Sequence, residues 1–264
     1  MAGIRRNWIA DLPRKAIVAA ILIAIAWTCL TIGGAALWLL ICVAAILMMA
    51  EWAELARVPK ASRRIAIYAL VVPLAILAPD PIAAGPSWLV LGLIGGTTIF
   101  VATVTRHRQL AMGIPYVALP ALAVLWLREL PGGLPIAFWT LATVWATDIG
   151  AYFAGRSIGG PKLMPRVSPN KTWAGLIGGM AAALLVGLIF NDRLGVPIEL
   201  VLTAPILAVI AQAGDLYESM IKRRAGVKDS GTLLPGHGGV LDRLDGLVTV
   251  APAVAILLLL NGAG

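Results

Sequence analysis

Four aspartates in the second half of this 264-residue chain stand in or against apolar runs where such residues are scarce. Asp148 interrupts the run from about 134 to 155, Asp215 lies near the end of the run from about 197 to 218, and Asp242 and Asp245 precede the run from about 246 to 262. An aspartate at a bilayer centre costs about 2.5 to 3.5 kcal/mol on insertion scales, so one that persists is by default a functional candidate. Carboxylates gathered from three segments suit a hard divalent cation such as Mg²⁺, which takes oxygen ligands and draws the remainder from phosphate-bearing substrates. Each aspartate could instead pair with a neighbouring Lys or Arg.

Basic and small residues surround these acids. In DLYESMIKR, Asp215, Glu218, Ser219 and Lys222 share one helix face at i, i+3, i+4, i+7 spacing, which would aim a ligand carboxylate, a hydroxyl and an ammonium into one cavity. A salt-bridged helix end has the same spacing. SPNKTW, residues 168 to 173, precedes another apolar run, so Lys171 and the free N–H groups of a helix start could receive a pyrophosphate; a capped helix start with Ser168 or Asn170 as the cap is equally compatible. In LPGHGGVLDRLD, Gly236, Gly238 and Gly239 let backbone approach a ligand closely beside His237, just ahead of Asp242, Arg243 and Asp245. His237 has no evident role as a general base if the nucleophile is a phosphate, already ionised near neutral pH.

The elements that must position these groups are membrane spans. The chain is 60% hydrophobic and only 13% charged, outside the range of soluble domains. A bilayer core about 30 Å thick takes about 20 apolar helical residues to cross. Nine runs meet or approach that length: 16 to 32, 35 to 52, 65 to 79, 87 to 104, 110 to 127, 134 to 155, 173 to 190, 197 to 218 and 246 to 262. The first two are divided only by Gly33 and Gly34, which must turn the chain tightly.

Cytoplasmic loops accumulate Lys and Arg. With the N-terminus inside, nineteen of the 21 basic residues fall on the cytoplasmic side, leaving only Arg128 and Arg193 outside. An all-α polytopic membrane protein with nine spans, N-terminus in and C-terminus out, is therefore expected, with residues 1–130 as scaffold and 131–264 as a catalytic region. Its cytoplasmic loops would be 156–172 and 219–245. The net charge of +8 is spread over five loops that flank spans, which suits anionic lipid rather than nucleic acid. No cleavable signal is evident after Arg5 to Lys15, and Cys29 and Cys42 have neither a CxxC nor a metal-ligand spacing. Glu51, Glu54 and Arg57 read as a solvated helix end, and Trp8, Trp52, Trp88, Trp126 and Trp173 as interfacial indoles.

Residues 219 to 245, SMIKRRAGVKDSGTLLPGHGGVLDRLD, resemble the signature of the phosphatidate cytidylyltransferase (CDP-diacylglycerol synthase) family, S-x-x-K-R, four residues, K-D, then H-G-G-x-x-D-R-x-D. Ser219, Lys222, Arg223, Lys228, Asp229, His237, Gly238, Gly239, Asp242, Arg243 and Asp245 occupy its fixed positions. The resemblance extends to TDIGAYFAGR around Asp148, SPNKTWAG around Lys171 and QAGDLYES around Asp215. Two positions depart from it: Ala174, where Glu or Gln is expected, and Ala213, where Leu is expected.

The resemblance implies that phosphatidate attacks the α-phosphorus of CTP at the cytoplasmic face of a membrane, in a bacterium the inner membrane, releasing pyrophosphate. It also implies Mg²⁺, with room for a second cation such as K⁺, and a homodimer. Read with it, Asp148, Asp215, Asp242 and Asp245 form the metal set, with Asp229 as an outlying member. Asp215, Asp242, Asp245, Lys222 and Arg223 carry catalysis. Lys171, Lys222, Arg223, Lys228 and Arg243 clamp phosphates, while Ser168, Asn170, Ser219, His237, Gly238 and Gly239 shape the nucleotide pocket. A CTP-dependent polyprenol or phytol kinase would use a similar site but release CDP, and an ion-coupled transporter could use Asp148 and Asp215 but has no use for the basic and glycine-rich loop.

Overall fold

A bilayer offers backbone N–H and C=O groups no partner but each other, so apolar segments of this length close their hydrogen bonds within helices. The computed structural model describes residues 8–231 and 238–262, with side chains from residue 20 onward. Within them run α1 (Trp8–Ile32), α2 (Gly34–Leu55), α3 (Lys60–Ile76), α4 (Trp88–Thr105), α5 (Arg108–Glu129) and α6 (Gly133–Ser157). A ribbon of β1 (Lys162–Met164) and β2 (Ser168–Thr172) follows, then α7 (Trp173–Leu194), α8 (Ile198–Val201), α9 (Ala204–Arg224) and α10 (Leu241–Leu260). Five of these, α2, α4, α5, α7 and α10, are long and apolar enough to cross a membrane. The chain is a helical membrane protein. Helices α6 and α9 carry the polar residues of the candidate site, and α3 opens with Lys60, Arg63 and Arg64, which lowers their apolar character.

Every apolar run read from the sequence falls on a helix, with the eighth divided into α8 and α9. Pro205, in the first turn of α9, has no N–H to bond the carbonyl four residues earlier, so the helix cannot run through. Gly33 alone separates α1 from α2, at φ 71°. The all-α expectation needs one correction, since residues 162 to 172 pair as an antiparallel ribbon, Lys162 opposite Thr172 and Met164 opposite Ser168. This segment lies outside the apolar runs, where strand edges can be hydrated.

Helices α6 and α7 pack closely because small residues face each other. A Cβ on Gly150 would come 2.5 Å from the Ala182 Cβ and 2.6 Å from the Gly178 carbonyl oxygen, and one on Gly178 would overlap the Ala154 Cβ. Gly175 and Gly179, four residues apart, press on the carbonyls of Ala151 and Thr147. In lipid, where apolar side chains gain little by leaving one apolar phase for another, such close backbone approach is a main source of helix association. It seats the start of α7, and the ribbon ahead of it, against the half of α6 that carries Asp148.

Long-range bonds fix which helix ends meet. Arg128, at the end of α5, donates to the carbonyls of Leu30 and Thr31 at 2.7 and 3.0 Å, closing the end of α1. At the opposite end, Trp52 of α2 donates to the Gln109 carbonyl of α5 at 2.8 Å, and Arg57 donates to the Ala225 carbonyl beyond α9. Trp52 is therefore not an interfacial indole: it is 2% exposed, and its ring fills the space that a side chain on Gly113 would occupy. Trp88 and Trp173, by contrast, are exposed. Two apolar cores run through the bundle, and α5, α6, α9 and α10 contribute to both.

Gly178→Ala should lower the melting temperature of the detergent-purified protein by several degrees, since overpacking costs about 1 to 3 kcal/mol against a gain in helix propensity of about 1 kcal/mol or less. Gly95→Ala on α4, where a Cβ meets nothing within 4 Å, should be neutral or stabilising. Equal melting temperatures for the two variants would remove the close α6–α7 contact as a determinant of the fold.

Candidate active site

The end of the bundle where α6 and α9 finish and α7 and α10 begin holds the polar residues. Thr172, not Ser168 or Asn170, caps α7, its hydroxyl accepting the Gly175 N–H at 3.0 Å. With the cap one residue beyond Lys171, the lysine lies on β2 and reaches inward. Its Nζ is 2.5 Å from Asp215 Oδ2 and donates to the Gln212 carbonyl at 3.4 Å. Gln212 Nε2 donates to Asp148 Oδ1 at 3.5 Å, and Ser219 Oγ to Asp215 Oδ1 at 3.3 Å. The sequence-expected face of α9 thus exists, and Lys171 belongs to it.

Asp245 lies within electrostatic reach of Asp215, Asp148 and Lys171. The crossing of α9 and α10 explains this. A Cβ on Gly214 would come 2.5 Å from Thr249 Oγ1 and 2.9 Å from the Asp245 carbonyl, and Thr249 donates to the Ile210 carbonyl at 3.1 Å. Only a glycine lets the two backbones approach so closely beside the carboxylates. Asp148 is exposed and lies within electrostatic reach of Asp215, Lys171 and Arg243.

Lys222 forms a second centre. Its ammonium lies 2.6 Å from Asp242 Oδ1 and 3.0 Å from Glu218 Oε1. Glu218 is fully buried, and among the described residues its Oε2 has no hydrogen-bond partner. Asp242 Oδ2 accepts the N–H groups of Ser230 and Gly239, each at 2.9 Å. Where the sequence suggested a phosphate clamp, Lys222 is held by two carboxylates, and Asp242 by a lysine and two backbone groups. Gly238 has φ 83°, and a side chain there would strike Asp242 Oδ2 at 2.7 Å.

Glu51 was missed. It is 3% exposed, and its carboxylate accepts the Ser230 hydroxyl at 2.9 Å, the Val240 N–H at 2.9 Å and the Leu241 N–H at 2.8 Å. The solvated-end reading fails because α2 ends against the turn into α10 rather than in water; Glu54, one turn on, is exposed as expected. Glu51 stands at the end of an apolar run, where a carboxylate facing water and one facing another helix look alike in sequence.

The other expected residues hold varied places, and Arg243 lies within electrostatic reach of Asp148. Arg223, Lys228, Asp229 and Arg243 are exposed, and Arg223 donates to the carbonyls of Val167 and Val227 at 3.4 and 3.3 Å, tying the ribbon to the chain after α9. Asn170 is exposed and Ser168 half-buried on β2. His237 lies outside the described residues. Ala213 is exposed, so the departure from Leu alters the bundle's outer surface, while Ala174 is half-buried in the first turn of α7.

Among the described residues, no three His, Cys, Asp or Glu side chains converge as a preformed metal group. Of the four aspartates, Asp242 is engaged by Lys222, Ser230 and Gly239. Mg²⁺ commonly takes one or two protein carboxylates and completes its shell with water and substrate phosphates. Asp148, Asp215 and Asp245, mutually repelling acids from three helices, have the donor chemistry for that arrangement.

A helical membrane bundle with carboxylates and ammonium groups alternating at one end, and exposed arginines and a lysine around them, has the makings of an enzyme handling anionic groups at a membrane surface. The family model described as the cytidylyltransferase family matches residues 14–261, and the chain belongs to that family of nucleotidyltransferases. It is 40% identical to the phosphatidate cytidylyltransferase of Brucella suis biovar 1, over 96% of this chain and 94% of the relative. The enzyme of that name from Pseudomonas aeruginosa is 40% identical over 81% of this chain and 84% of its own length, and that from Bacillus subtilis 48% identical over 48% and 49%.

Lys222→Met should destabilise the protein by about 3 to 5 kcal/mol, because Glu218 and Asp242 would be left as buried, uncompensated acids. Adding Glu218→Gln should restore part of the loss. Thermal unfolding of both variants in one detergent checks this, and a wild-type melting temperature for Lys222→Met would contradict it.

Proposed function

We propose that this chain is a phosphatidate cytidylyltransferase. A phosphate oxygen of phosphatidate forms a bond to the α-phosphorus of CTP, the bond from that phosphorus to the bridging oxygen breaks, and pyrophosphate leaves while CDP-diacylglycerol stays in the membrane. The observation that carries this reading is the meeting of Lys171 with Asp215, two positions far apart in sequence, beside a signature run whose Lys222 and Asp242 are in contact with each other. The relatives' names point the same way.

Transfer between two anions needs charge neutralisation and alignment more than proton removal. The attacking phosphate is already ionised, so His237 need not act as a base. Lys171 brings positive charge to the acids of α6, α9 and α10, and Arg223 and Lys228 offer exposed cations for the phosphates of a soluble nucleotide. Asp215 and Asp245, with Asp148 beside them, would hold Mg²⁺, which supplies charge neutralisation at the phosphoryl oxygens. Lys222 orients Asp242 rather than binding phosphate. A cavity of about 430 Å³ between α5, α9 and α10, lined by Met112, Tyr116, Leu119, Tyr217, Val248 and Pro252, offers apolar surface for an acyl chain.

The same proposal places the site end of the bundle in the cytoplasm of a bacterium, with nine spans of the inner membrane, the N-terminus inside and the C-terminus outside. Nineteen of 21 basic residues support that orientation. A homodimer and a second cation such as K⁺ complete it.

Purified protein given labelled CTP and phosphatidate should release pyrophosphate and form a CDP-lipid only with Mg²⁺; release of CDP would favour a kinase instead. Asp215→Asn and Asp245→Asn should each lower turnover by about two orders of magnitude or more while keeping yield and melting temperature, since each removes a carboxylate that would hold the cation neutralising the reacting phosphates. Activity near wild type in either variant would withdraw that residue from the site.

Orientation is checked separately with single cysteines in a background lacking Cys29 and Cys42. Reporters near Asp80 and Gly264 should be labelled by an impermeant reagent from outside intact cells, and one near Lys162 should be protected. Labelling near Lys162 from outside would invert the bundle and remove the site from cellular CTP.

A further inference from the structure

Helix α10 carries Asp242, Arg243 and Asp245 in its first two turns, so its height and rotation decide where these side chains stand. The first N–H groups of any helix lack an intrahelical acceptor. Val240, at the cap position, has no oxygen in its side chain to supply one. The acceptor comes instead from α2: Glu51 Oε1 takes the Val240 N–H at 2.9 Å, and Oε2 takes the Leu241 N–H at 2.8 Å. The same Oε2 accepts the Ser230 hydroxyl at 2.9 Å, so the chain leaving α9 and the chain entering α10 are pinned to one carboxylate. A carboxylate accepts through both oxygens, and its charge is favourable at a helix N-terminus.

Glycines make the approach possible. A Cβ on Gly231 would come 2.9 Å from Glu51 Oε1, and one on Gly239 would overlap both Ser230 Oγ and Glu51 Oε2. Arg57, from the same end of α2, binds the Ala225 carbonyl just beyond α9, so α2 holds both helices that present the site acids.

We propose that Glu51 is a positioning residue for nucleotidyl transfer, a carboxylate lent by α2 that sets α10 and thereby places Asp245 against Asp215 and Lys171. The proposal rests on the cytidylyltransferase reading of this site. Misplacement of reacting groups by about 1 Å can cost about a hundredfold in rate, so a residue that never touches substrate can still govern turnover. Glutamine at position 51 would keep the size but turn one acceptor into a donor facing donors. Aspartate would keep the charge but draw it back by one methylene.

Glu51→Gln and Glu51→Asp are to be compared with wild type as monodisperse, detergent-purified protein, by kcat and KM for CTP and by amide hydrogen exchange. Glu51→Gln should lower kcat about tenfold or more with KM changed less than about threefold, and should speed exchange at Val240 and Leu241 while α6 and the rest of α10 keep wild-type protection. Glu51→Asp should fall between the two, and it decides the matter if the Gln variant does not accumulate. Wild-type kcat, with or without faster local exchange, would overturn the proposal. So would faster exchange throughout the bundle with activity lost only in proportion to folded protein. If wild type itself makes no CDP-lipid, the reading of function fails, while the exchange measurement still tests whether Glu51 holds the start of α10.

Discussion

An ammonium withdrawn from water must be matched by negative charge, and at Lys222 two carboxylates provide it. Glu218 lies one helical turn earlier on α9, and Asp242 arrives from the first turn of α10. Taking an ion out of water costs several kcal/mol, and the loss is recovered only when geometry and further hydrogen bonds are good. Here Asp242 binds two backbone N–H groups as well, and Glu51 binds two more together with the Ser230 hydroxyl. The start of α10 therefore has one position in which all these groups are satisfied. The placement of Asp245 and Arg243 follows from it.

The second constraint is steric. Lipid chains are as apolar as leucine, so helices associate in a bilayer through close packing and polar bonds. Glycines and alanines at the α6–α7 contact, and Gly214 at the α9–α10 crossing, let backbones approach where larger residues would hold them apart. Both contacts adjoin the acids. Close packing brings Asp148 of α6 and Lys171 of the ribbon together with Asp215 of α9, through the Lys171–Asp215 ion pair and the Gln212–Asp148 bond. The rigidity of the site and the solubility of the bundle in lipid share one cause, since small residues face inward while Ile177, Leu185 and Ile189 of α7 and Ile99 and Phe100 of α4 face out.

Positive and negative groups are divided by depth as well as by charge. Lys171 and Lys222 are drawn in and paired with acids, whereas Arg223, Lys228 and Arg243 are exposed at the same end. The inner lysines organise carboxylates. The outer basic residues include arginine, whose planar, always-charged guanidinium suits recognition of phosphate oxygens.

The amino-acid sequence by itself determined the helical membrane class, the approximate course of each helix and the family, because hydropathy length and an eleven-position signature are local properties of the chain. It also marked Asp215, Ser219 and Lys222 as one face, since helical spacing is enough for that. Partnership was another matter. Whether Lys222 meets a phosphate or two carboxylates, whether Asp242 belongs with Asp148 or with Ser230 and Gly239, and whether Thr172 rather than Ser168 caps α7 depend on how helices cross. Glu51 is the sharpest case: its three partners lie 179 to 190 residues away, and nothing in its local sequence distinguishes a carboxylate facing water from one facing the start of another helix. Only the tertiary structure could decide that, because the acceptor a helix end requires came from whichever segment packing brought beside it.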